Sequence, residues 1–380
     1  MQKKKLIILF VLLFALVLSG CTGAVAWPGL STSGDVAYLA HTSTVYAVDL
    51  KTHNLLWSFS GEKAGFTLFN TNPDMFIVPP VTTTDGLVVI ANANNRHMMY
   101  AVDPKNFSAI DKAPTPAVRW KFNQAKGLWI APPLEIDGLL FAPNSDGKIY
   151  VLDLNDGMPE KQAVRTIEVS QPGKNESRLW AQPITDGERL FITSLDKAVV
   201  AVDLSTYEVL WRVDLNGAVP GGVALGGDGA LYAGSLAKKL ERFDPLTGAH
   251  QTALETKGWI WGTPVADGDN LYFADVDGYV YSYNTAEQRL NWEPVRPDAS
   301  ITASPLVVGD QILIATESGG IYSISADGKV SLWFQGKEKS KAYTTPVFAE
   351  DLTLVAYLDS DYYLVALDQN GKAVWTFSGK

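Results

Sequence analysis

Cysteine is nearly missing from this sequence: Cys21 is the only one in 380 residues. One thiol cannot close a disulfide within the chain, and it supplies no paired-cysteine metal site. Histidine is almost as scarce. His41, His53, His97 and His250 stand far apart, with no His-x-His or His-Glu-x-x-His spacing, so zinc-type chemistry has no support. No Gly-x-Ser-x-Gly elbow or phosphate-cradling glycine loop occurs. After residue 20 no stretch keeps a helical period of apolar residues. Basic charge is also short: 31 Lys+Arg stand against 41 Asp+Glu, a net −10. That balance argues against nucleic acid and against lying flat on an anionic lipid surface.

The N-terminus has a different character. Lys3, Lys4 and Lys5 precede an apolar run from Leu6 to Leu18, which ends in Leu18-Ser19-Gly20-Cys21. The run is short for a membrane span and has the shape of a signal-peptide core. Residues 1–20 are expected to be a leader cut between Gly20 and Cys21. The segment resembles a bacterial lipobox, which implies lipid on Cys21. Two or more acyl chains there would anchor the protein stably. Without its three leader lysines the chain keeps 28 Lys+Arg against 41 Asp+Glu, a net −13.

From there on the chain repeats itself. Its units open near Pro28, Pro80, Pro133, Pro183, Pro220, Pro264, Pro305 and Pro346, at spacings of 52, 53, 50, 37, 44, 41 and 41 residues. A strand-like run ending in Asp recurs at Asp49, Asp103, Asp153, Asp203, Asp244 and Asp368. A tryptophan closes the unit at Trp57, Trp120, Trp211, Trp292, Trp333 and Trp375. Units three and five lack it. Each unit carries four short runs rich in Val, Ile, Tyr and Phe, separated by Asp-Gly, Thr-Gly or Ser-Gly turns, the pattern of antiparallel strands joined by hairpins. Eight such units predict an all-β, eight-bladed β-propeller of four-stranded antiparallel blades filling residues 21–380 as one domain. The first unit begins at Trp27-Pro28 and the last ends with its own Trp375. Each blade is therefore expected to be complete, with the ring closed by packing alone.

The Tyr-Ala-Val-Asp run, turn and tryptophan resemble the repeats of pyrroloquinoline-quinone enzymes and their non-enzymatic relatives. The resemblance implies that the six closing tryptophans dock neighbouring blades. The enzymes place adjacent cysteines beside the quinone, which this chain cannot do. Their calcium site needs converging acidic and amide side chains; the local candidates Asp275, Asp277 and Gly278 read as a hairpin turn. Neither quinone nor calcium is expected to be required. A lipobox, eight such repeats and little else are together similar to the BamB type of outer-membrane assembly lipoprotein. That likeness implies a non-enzymatic, monomeric scaffold, exported and membrane-anchored, on the periplasmic face of an outer membrane where the cell has one. Its implied partner is a barrel-assembly protein or an unfolded outer-membrane protein.

Two features distinguish the blades. Long connections gather in blades one to three: 61–79 and 170–180 on the face of the inter-blade links, and 104–119 and 154–162 on the other. Loops on a rigid frame are where contacts concentrate. In addition Trp27, Phe76, Trp129, Trp180, Trp261 and Tyr343 fall one to four residues before an opening proline and are expected to ring the channel mouth. Such a ring would hold a sugar, a planar ligand or an apolar peptide side chain, or would simply fill the taper of the channel. A surface lipoprotein binding a sugar or small ligand there is the alternative to the scaffold, with a quinone-dependent oxidoreductase behind both.

Overall fold

Runs of β-branched and aromatic residues form strands wherever a turn residue follows within five or six positions. In a computed structural model that describes residues 27–61, 74–108, 114–158, 165–170, 178–358 and 361–379, these runs give eight four-stranded antiparallel sheets. Each sheet uses four consecutive strands. Blade one holds β1 (Gly29–Ser33), β2 (Val36–His41), β3 (Thr44–Asp49) and β4 (Leu55–Phe59), and the numbering runs on, four to a blade, to β32 (Ala373–Phe377). The eight-bladed propeller expected from the repeat is the observed fold. Gly20 and Cys21 lie outside the described residues.

The middle strands of a blade are buried on both faces because blades stack on either side. The runs at Val88–Ala91 and Ala198–Asp203 show this, with every residue of the first buried. Among the described residues the apolar core is accordingly divided into eight clusters, one in each gap between neighbouring blades.

The closing tryptophans lie across these gaps. Trp120 Nε1 donates to the Leu154 carbonyl of the next blade at 2.7 Å, and Trp211 Nε1 to that of Pro245 at 3.0 Å. Each indole packs on a turn glycine of the following blade. A Cβ on Gly157 would come within 2.5 Å of Trp120, and one on Gly248 within 2.8 Å of Trp211. Gly328 and Gly371 meet Trp292 and Trp333 in the same way. These glycines have φ between +68° and +82°, so the position needs both the left-handed conformation and the missing side chain. Blade three has no tryptophan there; Arg165 lies over the Tyr207 ring at 3.9 Å instead. Trp57 is buried against Tyr38 of its own blade. Beside it the hairpin of β7 (Met99–Ser108) and β8 (Thr115–Phe122) reaches back to β4, where Ser58 N–H donates to the Pro114 carbonyl at 3.0 Å. Of the 104–119 connection, expected as a long loop, 104–108 and 115–119 belong to these two strands.

The ring closes without exchanging a strand. Blades eight and one meet through an aromatic seam: His41 stacks on Tyr363 at 3.9 Å, Tyr46 meets Phe377 at 5.3 Å, and Trp375 stacks on His53 at 5.1 Å. A polar belt near the axis adds to it. Gly222 N–H donates to Thr263 Oγ1, Thr263 N–H to Ser304 Oγ, Ser304 N–H to Thr345 Oγ1, and Thr344 Oγ1 to the Pro28 carbonyl. It links blades five to eight and then blade one.

Acid is expected to weaken this ring in two stages. Burial, opposed by a hydrogen bond to the Tyr357 backbone, lowers the His41 pKa below its ordinary 6.5. The unfolded chain then binds the proton more readily, so the contribution is complete above about pH 6.5 and is lost as pH falls. Turn aspartates act lower. The Thr52 amide holds Asp49 below the ordinary carboxylate value, the Ser205 hydroxyl does so for Asp203, and the Thr247 amide for Asp244. Their contribution is present above about pH 4 and fades below it. Melting temperatures at about pH 8, 5 and 3 should fall at each step, and His41→Gln should flatten the first. A wild-type Tm equal at the two upper values would refute the role given to His41.

Candidate functional site

Strand pairing supplies a common frame for the channel mouth. In each blade one residue of the innermost strand pairs with the same second-strand position: Ser31, Val81, Leu134, Ile184, Ala224, Val265, Leu306 and Val347. Counting back four residues reaches Trp27, Ile77, Ile130, Trp180, Pro220, Trp261, Thr302 and Tyr343. Six of these line one cavity of about 900 Å³; Pro220 and Thr302 do not. In this frame blades four to eight repeat every 40 or 41 residues. Pro220 thus stands at the mouth position itself, three residues before its strand starts at Val223.

Four of the six aromatics expected at the mouth are there. Trp27, Trp180, Trp261 and Tyr343 line the cavity. Trp27 stacks on Tyr343 at 5.2 Å and 7°, and meets Trp261 edge-on at 6.0 Å. Trp180 meets Trp261 edge-on at 6.2 Å. Because blades one and six are not neighbours, the Trp27–Trp261 contact crosses the axis. The aromatics therefore form a wall across the mouth, and the cavity opens on the side of blades two and three.

Phe76 and Trp129 are not mouth residues. Both are fully buried. They stand one position earlier in the frame, with Leu179, Val219, Ile260, Ile301 and Ala342, all buried. In extended chain a shift of one residue reverses the side a side chain faces. Phe76 packs on Phe59 and joins the core between blades one and two. Trp129 packs on Phe122 and Tyr150, and its Nε1 donates to the His97 carbonyl at 2.9 Å. It therefore supports the cavity from beneath. Ile77 and Ile130 take the places expected for the two aromatics.

Polar groups complete the lining, and most escaped sequence reading. His97 Nδ1 donates to the Gly127 carbonyl at 2.6 Å, and Leu128 N–H donates to Ser145 Oγ at 2.6 Å. Asp146 accepts the Tyr150 hydroxyl at 2.7 Å. Lys126, Arg178 and Glu317 also face the space. Burial, with the Glu317 carboxylate second, raises the Tyr343 phenol above its ordinary pKa. A signal for part of this set exists in the sequence: Met75, Leu128 and Arg178 precede mouth positions by two residues, so strand alternation returns them to the same side.

Beside the mouth, two buried carboxylates organise the loops. Asp74 accepts Asn92 Nδ2 at 2.5 Å, Arg96 Nη1 at 2.9 Å and the Tyr100 hydroxyl at 3.0 Å. Asp275 accepts the Gly258 and Tyr279 amides and the Tyr281 hydroxyl at 2.7, 3.0 and 2.7 Å. Gly278 N–H closes the same turn on the Asp275 carbonyl. Asp275 is thus saturated by donors, as a hairpin turn requires, and does not fit a calcium site. Among the described residues no group of three or more His, Cys, Asp or Glu could hold a metal ion.

Residues 195–333, from the end of the second strand of blade four through blade seven, match the family profile described as "Outer membrane protein assembly factor BamB". The crystal structure of BamB from Moraxella catarrhalis superposes with a TM-score of 0.67 at 18% identity, over 86% of this chain and 92% of that one. A computationally designed protein, Ika8, gives 0.64 at 13% identity, over 88% and 94%. At such identities the likeness is one of fold. No curated protein sequence matches significantly.

Proposed function

We propose that this chain is a non-enzymatic scaffold of the bacterial cell envelope, held by lipid on Cys21, that docks a protein partner in outer-membrane barrel assembly. The observation that carries this reading is the match of residues 195–333 to the BamB family profile. The site supports it. The cavity presents aromatic and aliphatic walls beside fixed polar groups, a lining suited to holding a side chain. The carboxylates of Asp146 and Asp275 are already committed to structural hydrogen bonds.

Crosslinking in intact cells, followed by identification of the captured protein, tests the proposal. A barrel-assembly partner is expected. A deletion of 61–78 would destroy the fold with the contact, because it removes the buried Phe76 and Val78. Gly61 and Asp74 abut, since a Cβ on Gly61 would lie 1.8 Å from Asp74 Oδ2. Replacing only 62–73 by a short glycine-serine turn should therefore leave the blade intact and reduce capture. Recovery of no envelope protein from crosslinked cells would refute the scaffold.

The aromatic wall also favours a second reading, a sugar or small ligand at the mouth. It requires saturable quenching of tryptophan fluorescence by a member of a glycan panel, lost in Trp180→Ala and Trp261→Ala. A panel without any response removes it.

A further inference from the structure

One arginine at the mouth is placed unlike the other arginines of the molecule. Among the described residues every arginine except Arg178 has a carboxylate, carbonyl or ring partner. Arg178 has none among the described residues, although the chain carries net −10 and acidic groups abound. The Lys126 ammonium is likewise without a partner among the described residues, and both line the cavity, Lys126 ahead of blade three and Arg178 ahead of blade four. Glu317, a carboxylate without a partner among the described residues, lines the same cavity from blade seven, beside Tyr343. The aromatic wall of Trp180, Trp261 and Trp27 lies between. Asp146 also lines the space beside Lys126, its carboxylate accepting the Tyr150 hydroxyl and the Lys148 amide. With two cations against that one carboxylate, this side keeps a positive excess, followed by an apolar middle and the anionic Glu317.

A uniformly anionic ligand would meet Glu317 with repulsion, and a neutral one would leave all three charges unanswered. The complement is a ligand with an apolar ring at its centre and opposite charges at its ends. An extended polypeptide supplies this with three side chains: acidic, aromatic and basic. Its backbone N–H groups can also donate to the lining oxygens.

We infer that the mouth binds an extended polypeptide segment that places an aromatic side chain against the tryptophan wall, an acidic group at Arg178 and Lys126, and a basic group at Glu317. This rests on the scaffold reading and names the chemistry of the segment that the scaffold holds.

The test uses the full lipidated chain in detergent and fluorescein-labelled nine-residue peptides in a glycine-serine frame, read by anisotropy. One peptide carries Asp, Phe and Lys; three others each lack one of them. The complete peptide is expected to bind tightest, with loss of Asp or of Lys each costing about tenfold in Kd. In Arg178→Gln the dependence on the peptide Asp should shrink while that on Lys remains. In Glu317→Gln the reverse is expected. A variant that merely misfolded would lose both dependences together, and melting temperatures identify that case. Two results overturn the inference: four peptides that bind alike or not at all, or charge dependences unchanged by both substitutions. An acidic oligosaccharide that quenches the mouth tryptophans where no peptide binds overturns it as well. If peptides fail while the crosslinked barrel-assembly partner persists, this inference falls and the scaffold reading stands. If peptides bind but no envelope partner is found, the scaffold reading falls.

Discussion

Trp129→Ala is expected to destabilise the protein by about 3–5 kcal/mol, whereas Trp180→Ala costs about 1 kcal/mol. The sequence places the two residues alike, four and three positions before a proline. Trp129 is completely buried between blades two and three, edge-on to Phe122 and Tyr150, and holds the His97 loop through its indole N–H. Truncation empties a space that the stacked blades cannot collapse to fill, and it leaves a part-buried carbonyl without its donor. Trp180 is half-buried and meets only Trp261 among the aromatics. Urea unfolding of the two variants beside the wild type measures the difference. Equal losses would mean that the mouth aromatics belong to the core and are no binding wall. Trp129→Phe should recover most of the packing but not the hydrogen bond.

Asp74→Ala should cost a similar amount, about 3–5 kcal/mol. The carboxylate is buried and is the shared acceptor for Asn92, Arg96 and Tyr100. Its loss strips a charged acceptor from a guanidinium only 30% exposed and from two buried donors. Asp275→Ala is the informative comparison. It too removes a saturated buried acceptor, but it faces amides and a hydroxyl with no guanidinium among them. A smaller loss, about 1–3 kcal/mol, is expected there. If the order were reversed in equilibrium unfolding, the Arg96 pair would carry no special weight. Since Met75 and Ala93 adjoin this network and line the cavity, Asp74→Ala should also weaken the peptide binding proposed for the mouth more than Asp275→Ala does.

The repeat made most of the architecture readable. Alternating apolar runs, Asp-ended strands and turn glycines are local properties, and each leaves its mark within about ten residues. The closing tryptophans were equally visible, though not the partner of Trp375. Where four blades set a glycine against the indole, blade one sets His53. Prolines were the poorer ruler. Pro28 and Pro220 lie out of frame with the other six, and counting from Pro220 turned steps of 40 and 41 residues into 37 and 44.

By itself, then, the sequence determined eight four-stranded units, their order and their turns, because strand and turn formation depend on neighbours along the chain. Tertiary structure alone decided which aromatic residues face the channel. A single step in register separates Trp180 from Leu179, and Ile130 from Trp129, and only the pairing of strands sets that step. It also decided which charges remain unanswered. Arg178, Lys126 and Glu317 are unremarkable residues of three separate loops. Closing the ring sets them around one cavity, without an ion-pair partner among the described residues.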